Sequence, residues 1–338
     1  MQPQVSGIAP IEWAGNSAKA PGRFSSGSEI TLKMFATTRA SLKKLAACAL
    51  AAFVFCASYS IAARPAAAEN DAAESPGVVA APPAGMLDAG FHELYQLNFQ
   101  GARAQFLSYQ KAQPQDPLGK AAEAASYLFE QFNAKGVFTS AFFLDDEKLL
   151  GGVDGKPSEN RNEAFLDANR RAREMARQWL QSNPRDAHGL LVLTLTDGME
   201  ADYVALIEKR QLASLSLIRQ AESEAKNLLA VDSSAQDAYV ALGAGNYILG
   251  CLPAYKRAFL WLGGMHGDRA RGIQQMQLAA EHGHYLQPYA KILLALALER
   301  EHQTDRARVI FSGLASEFPA NPIYARELAL LGRAAGKP

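Results

Sequence analysis

From Gly85 onward, apolar residues recur at spacings of three and four in segments of 12 to 25 residues, and no stretch alternates apolar with polar as a half-buried strand would. The pattern predicts helices over residues 85–97, 100–112, 118–134, 158–182, 186–208, 210–230, 234–250, 268–282, 286–300, 303–317 and 321–334. Two starts are marked twice over. Asp116-Pro117 and Asn321-Pro322 each place a side-chain acceptor at the N-cap and proline at the first helical position. Gly151-Gly152 and Asp154-Gly155 mark the segment after residue 134 as a loop, with the Asp145-Asp146-Glu147 run as solvated loop charge. The chain therefore reads as all-α, built from helix pairs, and that prompts a search for repeats.

Counting from Pro83, Gly90, Ala102, Phe106 and Pro114 fall at positions 8, 20, 24 and 32. Counting from Pro288, Ala295, Ala307, Phe311 and Pro319 fall at the same four. Small residues let two helices approach, the large one fills the groove between them, and proline ends the second helix. This spacing resembles the 34-residue tetratricopeptide repeat. Between the two copies, Ala187, Ala238 and Tyr289 open units 51 residues apart, 17 more than one repeat. In the second of these units Leu242-Gly243 fits the first helix, and Gly272, Met276 and Ala279 fit the second if residues 251–267 are inserted. In the unit before it, Leu191 fits the first helix and Ala221, Ala225 and Leu228 the second. Equal insertions in neighbouring units predict one shared, shaped feature.

Gly243 with Tyr247, Leu252-Pro253, and then Gly263, Gly264, Gly267, Asp268 and Gly272 are the residues of a further likeness. Over roughly residues 185–335 the chain resembles a group of exported bacterial tetratricopeptide-repeat proteins. More loosely, it is similar to helical-repeat proteins associated with TRAP-type solute transporters. The resemblance implies an α-α superhelix, a TPR-like solenoid of antiparallel helix pairs, with no catalytic residues.

Residues upstream of the helical region read as an address. Arg39, Lys43 and Lys44 precede an apolar run from Leu45 to Ala63, and Ala66-Ala67-Ala68 follows. A positive stretch, an apolar stretch and an Ala-x-Ala site predict a secretory signal peptide over residues 34–68, cleaved after Ala68. Retention of the run as an uncleaved membrane anchor is the competing reading, since 19 helical residues span about 28 Å. Signal peptides start near their positive stretch, so Met34 is the expected initiator and residues 1–33 a non-translated or disordered extension. Residues 69–84 form an Ala/Pro linker, and one helical-repeat domain spans 85–335. The protein is thus expected to be exported to the periplasm or cell envelope, touching a membrane only peripherally.

Composition adjusts this picture little until the leader is removed. The full chain has 34 Lys/Arg and 34 Asp/Glu. Seven of the bases and two of the acids precede Glu69, which leaves 27 against 32, a net charge of −5. Mild acidity argues against nucleic acid as a partner. Cys48 and Cys56 leave with the signal, so Cys251 is the last thiol, expected as a small buried hydrophobe.

Candidate chemistry is thin. Gly263-Gly264-Met265-His266-Gly267-Asp268 lacks the Gly-Lys-Ser/Thr of a phosphate loop and is expected as a tight turn, with Asp268 capping the next helix. His282 and His284 flank Gly283, where a helix should end. They are expected as C-terminal residues facing the helix dipole, with metal binding as the minor alternative. His92-Glu93 has Gln96 where a zinc-protease helix needs a second His. No catalytic residue, metal ligand or cofactor is predicted.

Two apolar groups stand out. Phe138, Phe142 and Phe143 are expected to pack under a long loop. Tyr255, Phe259, Leu260 and Trp261 in the 251–264 insert are expected to pack across the neighbouring repeat, or else to serve as an anchor for a partner or line a cavity. The expected function is a non-enzymatic scaffold that binds a protein or peptide along its concave face. Asn246 and Tyr247, with Tyr255, Phe259 and Trp261, are the candidate contacts. The alternative is a small-molecule-binding module in solute transport, with the inserts closing over an apolar pocket. Protein purified from its own cells is expected to have the intact mass of a chain beginning at Glu69. Residues upstream of Met34 in that mass would overturn the initiator assignment.

Overall fold

A computed structural model describes residues 85–335. The expected signal peptide, its upstream extension and the linker lie outside the described residues. Among the described residues every element is helical. In chain order they are α1 (Met86–Tyr95), α2 (Phe99–Ala112), α3 (Pro117–Ala134), α4 (Ser140–Phe143), α5 (Asp146–Gly151), α6 (Glu159–Ser182) and α7 (Ala187–Asp202). After a π-helical turn (Tyr203–Ile207) come α8 (Gln211–Val231), α9 (Ala238–Cys251), α10 (Ala254–Leu262), α11 (Arg269–His282), α12 (Gln287–Arg300), α13 (Thr304–Glu317) and α14 (Pro322–Ala335). The long helices pack as successive pairs, α1 with α2, α3 with α6, α7 with α8, α9 with α11 and α12 with α13, and α14 covers the last pair. This is an α-α superhelical arrangement.

The helix starts follow their capping residues. Asp116 accepts from the amide of Leu118, Asp186 from Gly189, Asp268 from Arg271 and Asn321 from Ile323. Each satisfies an amide that the first turn leaves without a helical partner. The small and large positions of the repeat meet as their spacing predicts. Ala102, Phe106, Ala295, Ala307 and Phe311 are wholly buried, and Phe106 presses on the Cα of Gly90.

The tightest pair is α9 with α11. A Cβ on Gly272 would lie 2.7 Å from the amide nitrogen of Tyr247 and 2.8 Å from the carbonyl oxygen of Gly243. One on Gly250 would lie 2.8 Å from the amide nitrogen of Arg269. The Asp268 amide donates to the Asn246 carbonyl at 3.0 Å. The two helices meet main chain to main chain, which only glycine permits.

The expected pair of matching insertions is not there. In residues 187–231 the extra length goes into the helices, as α7 runs on through the π turn and α8 has 21 residues. Equal length thus hides two different solutions. A separate insertion lies between α3 and α6, residues 135–158, where the sequence suggested only a loop. It carries α4 and α5, and it buries Phe138, Phe142 and Phe143 as expected.

That insertion packs against α3, α9, α12 and α14. Phe138 packs on Phe129 and Tyr289, with ring centres 5.0 Å and 6.3 Å away. Phe143 stacks on Tyr247 at 6.0 Å. Ser140 donates its hydroxyl to Glu327 of α14 at 2.6 Å, and Arg300 of α12 donates to the Phe143 carbonyl at 2.9 Å. The first and last hairpins also touch. Tyr95 donates to the Tyr285 carbonyl at 2.8 Å, Asn321 donates to the Tyr95 carbonyl at 2.9 Å, and Phe91 stacks on Tyr285 at 4.9 Å. Asp237, at the start of α9, accepts the amides of His284, Tyr285 and Leu286 at the start of α12.

Gly272→Ala is expected to cost about 1–3 kcal/mol or more, because main chain cannot give way to the added methyl. Gly313→Ala, exposed on α13 with nothing within 4 Å of the added carbon, should stabilise by about 0.5–1 kcal/mol. Urea denaturation of the two variants beside the parent checks both signs.

Candidate functional site

The insert after α9 is built from punctuation residues. The α9 helix stops at Cys251, Pro253 opens α10, and Gly263 with Gly264 (φ +77) turns the chain back. Met265 is buried and its amide donates to the Leu260 carbonyl at 3.0 Å. Gly267 then crosses against the main chain of Leu249 and Gly250. Asp268 caps α11, so the glycine segment is the helix-to-helix turn that the sequence implied. Arg219 of α8 donates to the Gly263 carbonyl at 2.9 Å and tethers the turn.

No residue of α10 is buried. Tyr255, Phe259 and Leu262, spaced i, i+4, i+7, form one outward stripe with 72%, 71% and 78% of their surface exposed. This corrects the expectation that the insert aromatics pack across the neighbouring repeat. A nine-residue helix held at its two ends, with only Leu260 half-buried beneath it, cannot turn both faces to the body.

The inward side roofs a groove of about 310 Å3 lined by Leu249, Arg257, Leu260, Trp261 and His266. Trp261, 62% exposed, rims it edge-on to His266, with ring centres 6.5 Å apart. A second groove of about 760 Å3 continues past Arg257 and Gly267 along α11 to the start of α13, with Arg269, Gln277, Glu301 and Arg306 on its walls. Arg269 pairs with Glu301 at 2.9 Å, and Arg306 donates to Gln277 at 3.2 Å. Arg257 has exposed surface at the junction of the two grooves.

The other predicted contacts fare differently. Tyr247 is wholly buried. Its hydroxyl lies within hydrogen-bond distance of the Ala297 carbonyl and Glu301, and burial pushes the phenol far above its ordinary value. It is a core residue that joins α9 to α12, which corrects its assignment as a groove contact. Asn246 is half-buried, and its amide is committed to the Leu242 carbonyl and to Gln275 at 2.8 Å. Of the five predicted contacts, Tyr255, Phe259 and Trp261 are brought together on α10. Arg269, Glu301 and Arg306 were missed, because nothing in sequence separated by these distances announces a shared groove. The stripe had a signal: three large apolar residues at helical spacing between Pro253 and Gly263-Gly264.

Elsewhere the chemical candidates resolve into structure. Burial pushes the Cys251 thiol up and disfavours the thiolate. His284 pairs with Asp88 at 2.8 Å, whereas His282 faces Glu281 at 3.7 Å, so the two imidazoles engage different carboxylates. Among the described residues no three His, Cys, Asp or Glu side chains are grouped to hold a metal ion. No described helix is long and apolar enough to cross a membrane. On α7, burial pushes Asp197 up to about 6 against the pull of Arg173, 2.7 Å away. Burial also raises Asp202, to about 7, despite its hydrogen bond with Tyr289.

Comparison of the chain with protein-family models, with curated proteins and with solved structures finds no match in any of the three.

Glu299 of α12 gives a pH dependence. Burial, then the neighbouring Glu327, pushes it from 4.5 up to about 7. Between those values the folded protein holds a proton that the unfolded chain releases, so this group lowers stability as pH rises through the window. Glu299→Gln is expected to be more stable than the parent at pH about 8, with the difference vanishing near pH about 5. Urea midpoints at the two pH values check it.

Proposed function

We propose that the chain is a non-enzymatic helical-repeat scaffold of the cell envelope, and that a protein or peptide partner seats in the paired grooves beneath α10. The observation that carries this is the placement of the open concavity. Phe138 and Phe143 of the 135–158 insertion pack against α3 and α9, whereas the recess running from Trp261 and His266 past Arg257 to Arg306 stands open. Arginine beside tryptophan at a recess suits a partner surface, since both combine a large flat contact with fixed hydrogen-bond donors. The tetratricopeptide-like spacing supports the architecture, although fold alone names no partner.

The small-molecule alternative has less support. Its apolar pocket was expected between two matched inserts, and residues 187–231 contain none.

A photo-crosslinking side chain placed at Trp261 or Arg257 in the native cell is expected to yield an adduct of one discrete mass. The same side chain at Leu212, exposed on α8, should yield none. Equal adducts from all three positions, or none from the groove, would overturn the proposal.

A further inference from the structure

The grooves use the inward side of α10 and leave the Tyr255, Phe259 and Leu262 stripe on the opposite side without a role. Three large apolar side chains at more than two-thirds exposure on one short helix form a surface that water disfavours. Three properties bear on what covers it.

The first is shape. The stripe is the crest of a helix about 13 Å long in which every residue but Leu260 is exposed, so it is convex and narrow. A flat, fluid surface accepts such a crest without a complementary cleft. The second is chemistry. Tyr255 combines an apolar ring with a polar edge, which suits the boundary between headgroups and acyl chains, while Phe259 and Leu262 suit the region just beneath. The third is charge. Lys256 lies beside the stripe and is exposed, and Arg219 sits under the turn that follows, while Arg257 is on the groove side. Residues 238–267 contain no aspartate or glutamate, although the chain downstream of the linker is net acidic. The next acid, Asp268, is held at the cap of α11.

We propose that α10 is an interfacial anchor that lies in the surface of an anionic lipid leaflet, with Tyr255, Phe259 and Leu262 inserted and Lys256 at the level of the lipid phosphates. Three apolar side chains and a flanking lysine give reversible attachment, not a permanent one. The grooves remain on the side of α10 away from the lipid. Attachment at α10 is therefore separate from partner binding, and either can fail without the other.

The test is hydrogen exchange of the full chain, read peptide by peptide, so that protection at residues 254–262 is distinguished from any lipid contact made by the apolar run at 45–63. Vesicles of equal parts phosphatidylcholine and phosphatidylglycerol are expected to slow exchange across 254–262 by about tenfold or more, and pure phosphatidylcholine vesicles far less. The combined variant Tyr255→Ser, Phe259→Ser and Leu262→Ser should keep the parent melting temperature and lose the protection. Three outcomes would overturn the proposal. One is no protection with either vesicle, another is equal protection with both, and the third is protection without lipid that grows with protein concentration, which would assign the stripe to a second copy of the chain.

Discussion

Helices α9 and α11 touch through their main chains, and the centre of the molecule is arranged around that contact. Gly243, Gly250, Gly267 and Gly272 each occupy a place where even a methyl group would meet backbone. Such closeness brings the Asp268 amide to the Asn246 carbonyl and sets Tyr247 in the core, where its ring stacks on Phe143 and its hydroxyl reaches α12. It also forces the connection between the two helices outward. The connection has no space between α9 and α11, and nine of its residues stand away from the body as α10. The exposed stripe and the grooves are thus consequences of a contact made by residues with no side chain at all.

The architecture was legible because the repeat writes its packing into residue size. Gly90 with Phe106, and Ala295, Ala307 and Phe311, occupy positions whose spacing alone predicted both the helix pairs and which side chains would be buried. The caps were legible for a similar reason, since Asp116, Asp268 and Asn321 act within two or three residues of themselves. What escaped was decided over long separations. Tyr247 reads as a groove residue from its helix position, and what makes it core arrives from afar: Phe143 a hundred residues earlier and Ala297 fifty residues later. The 51-residue spacing was correctly seen, but spacing counts residues and not their conformation. The same surplus became longer helices in one unit and a protruding helix in the next.

The same limit governs the candidate site. Tyr255, Phe259 and Trp261 were identified as residues too apolar for a plain loop, and they do lie together. Their exposure depends on what α9 and α11 leave no space for, which no local pattern records. Arg257, Arg269 and Arg306 acquire a common groove from three separate elements and share no motif.

The contact between the first hairpin and the last changes what kind of object this superhelix is. A linear stack of repeats has two ends, and its stability is a chain of neighbour terms, so either end can peel away while the rest holds. Here Tyr95 and Phe91 of α1 are held by Tyr285 and Asn321, nearly two hundred residues or more further along. Asp237 clasps α9 to α12, and the 135–158 insertion reaches α9, α12 and α14 at once. Opening the first or the last hairpin then breaks contacts with the neighbouring pair and with the far end of the array. Among the described residues the array is thus built to open as one cooperative body and not to peel repeat by repeat from an end.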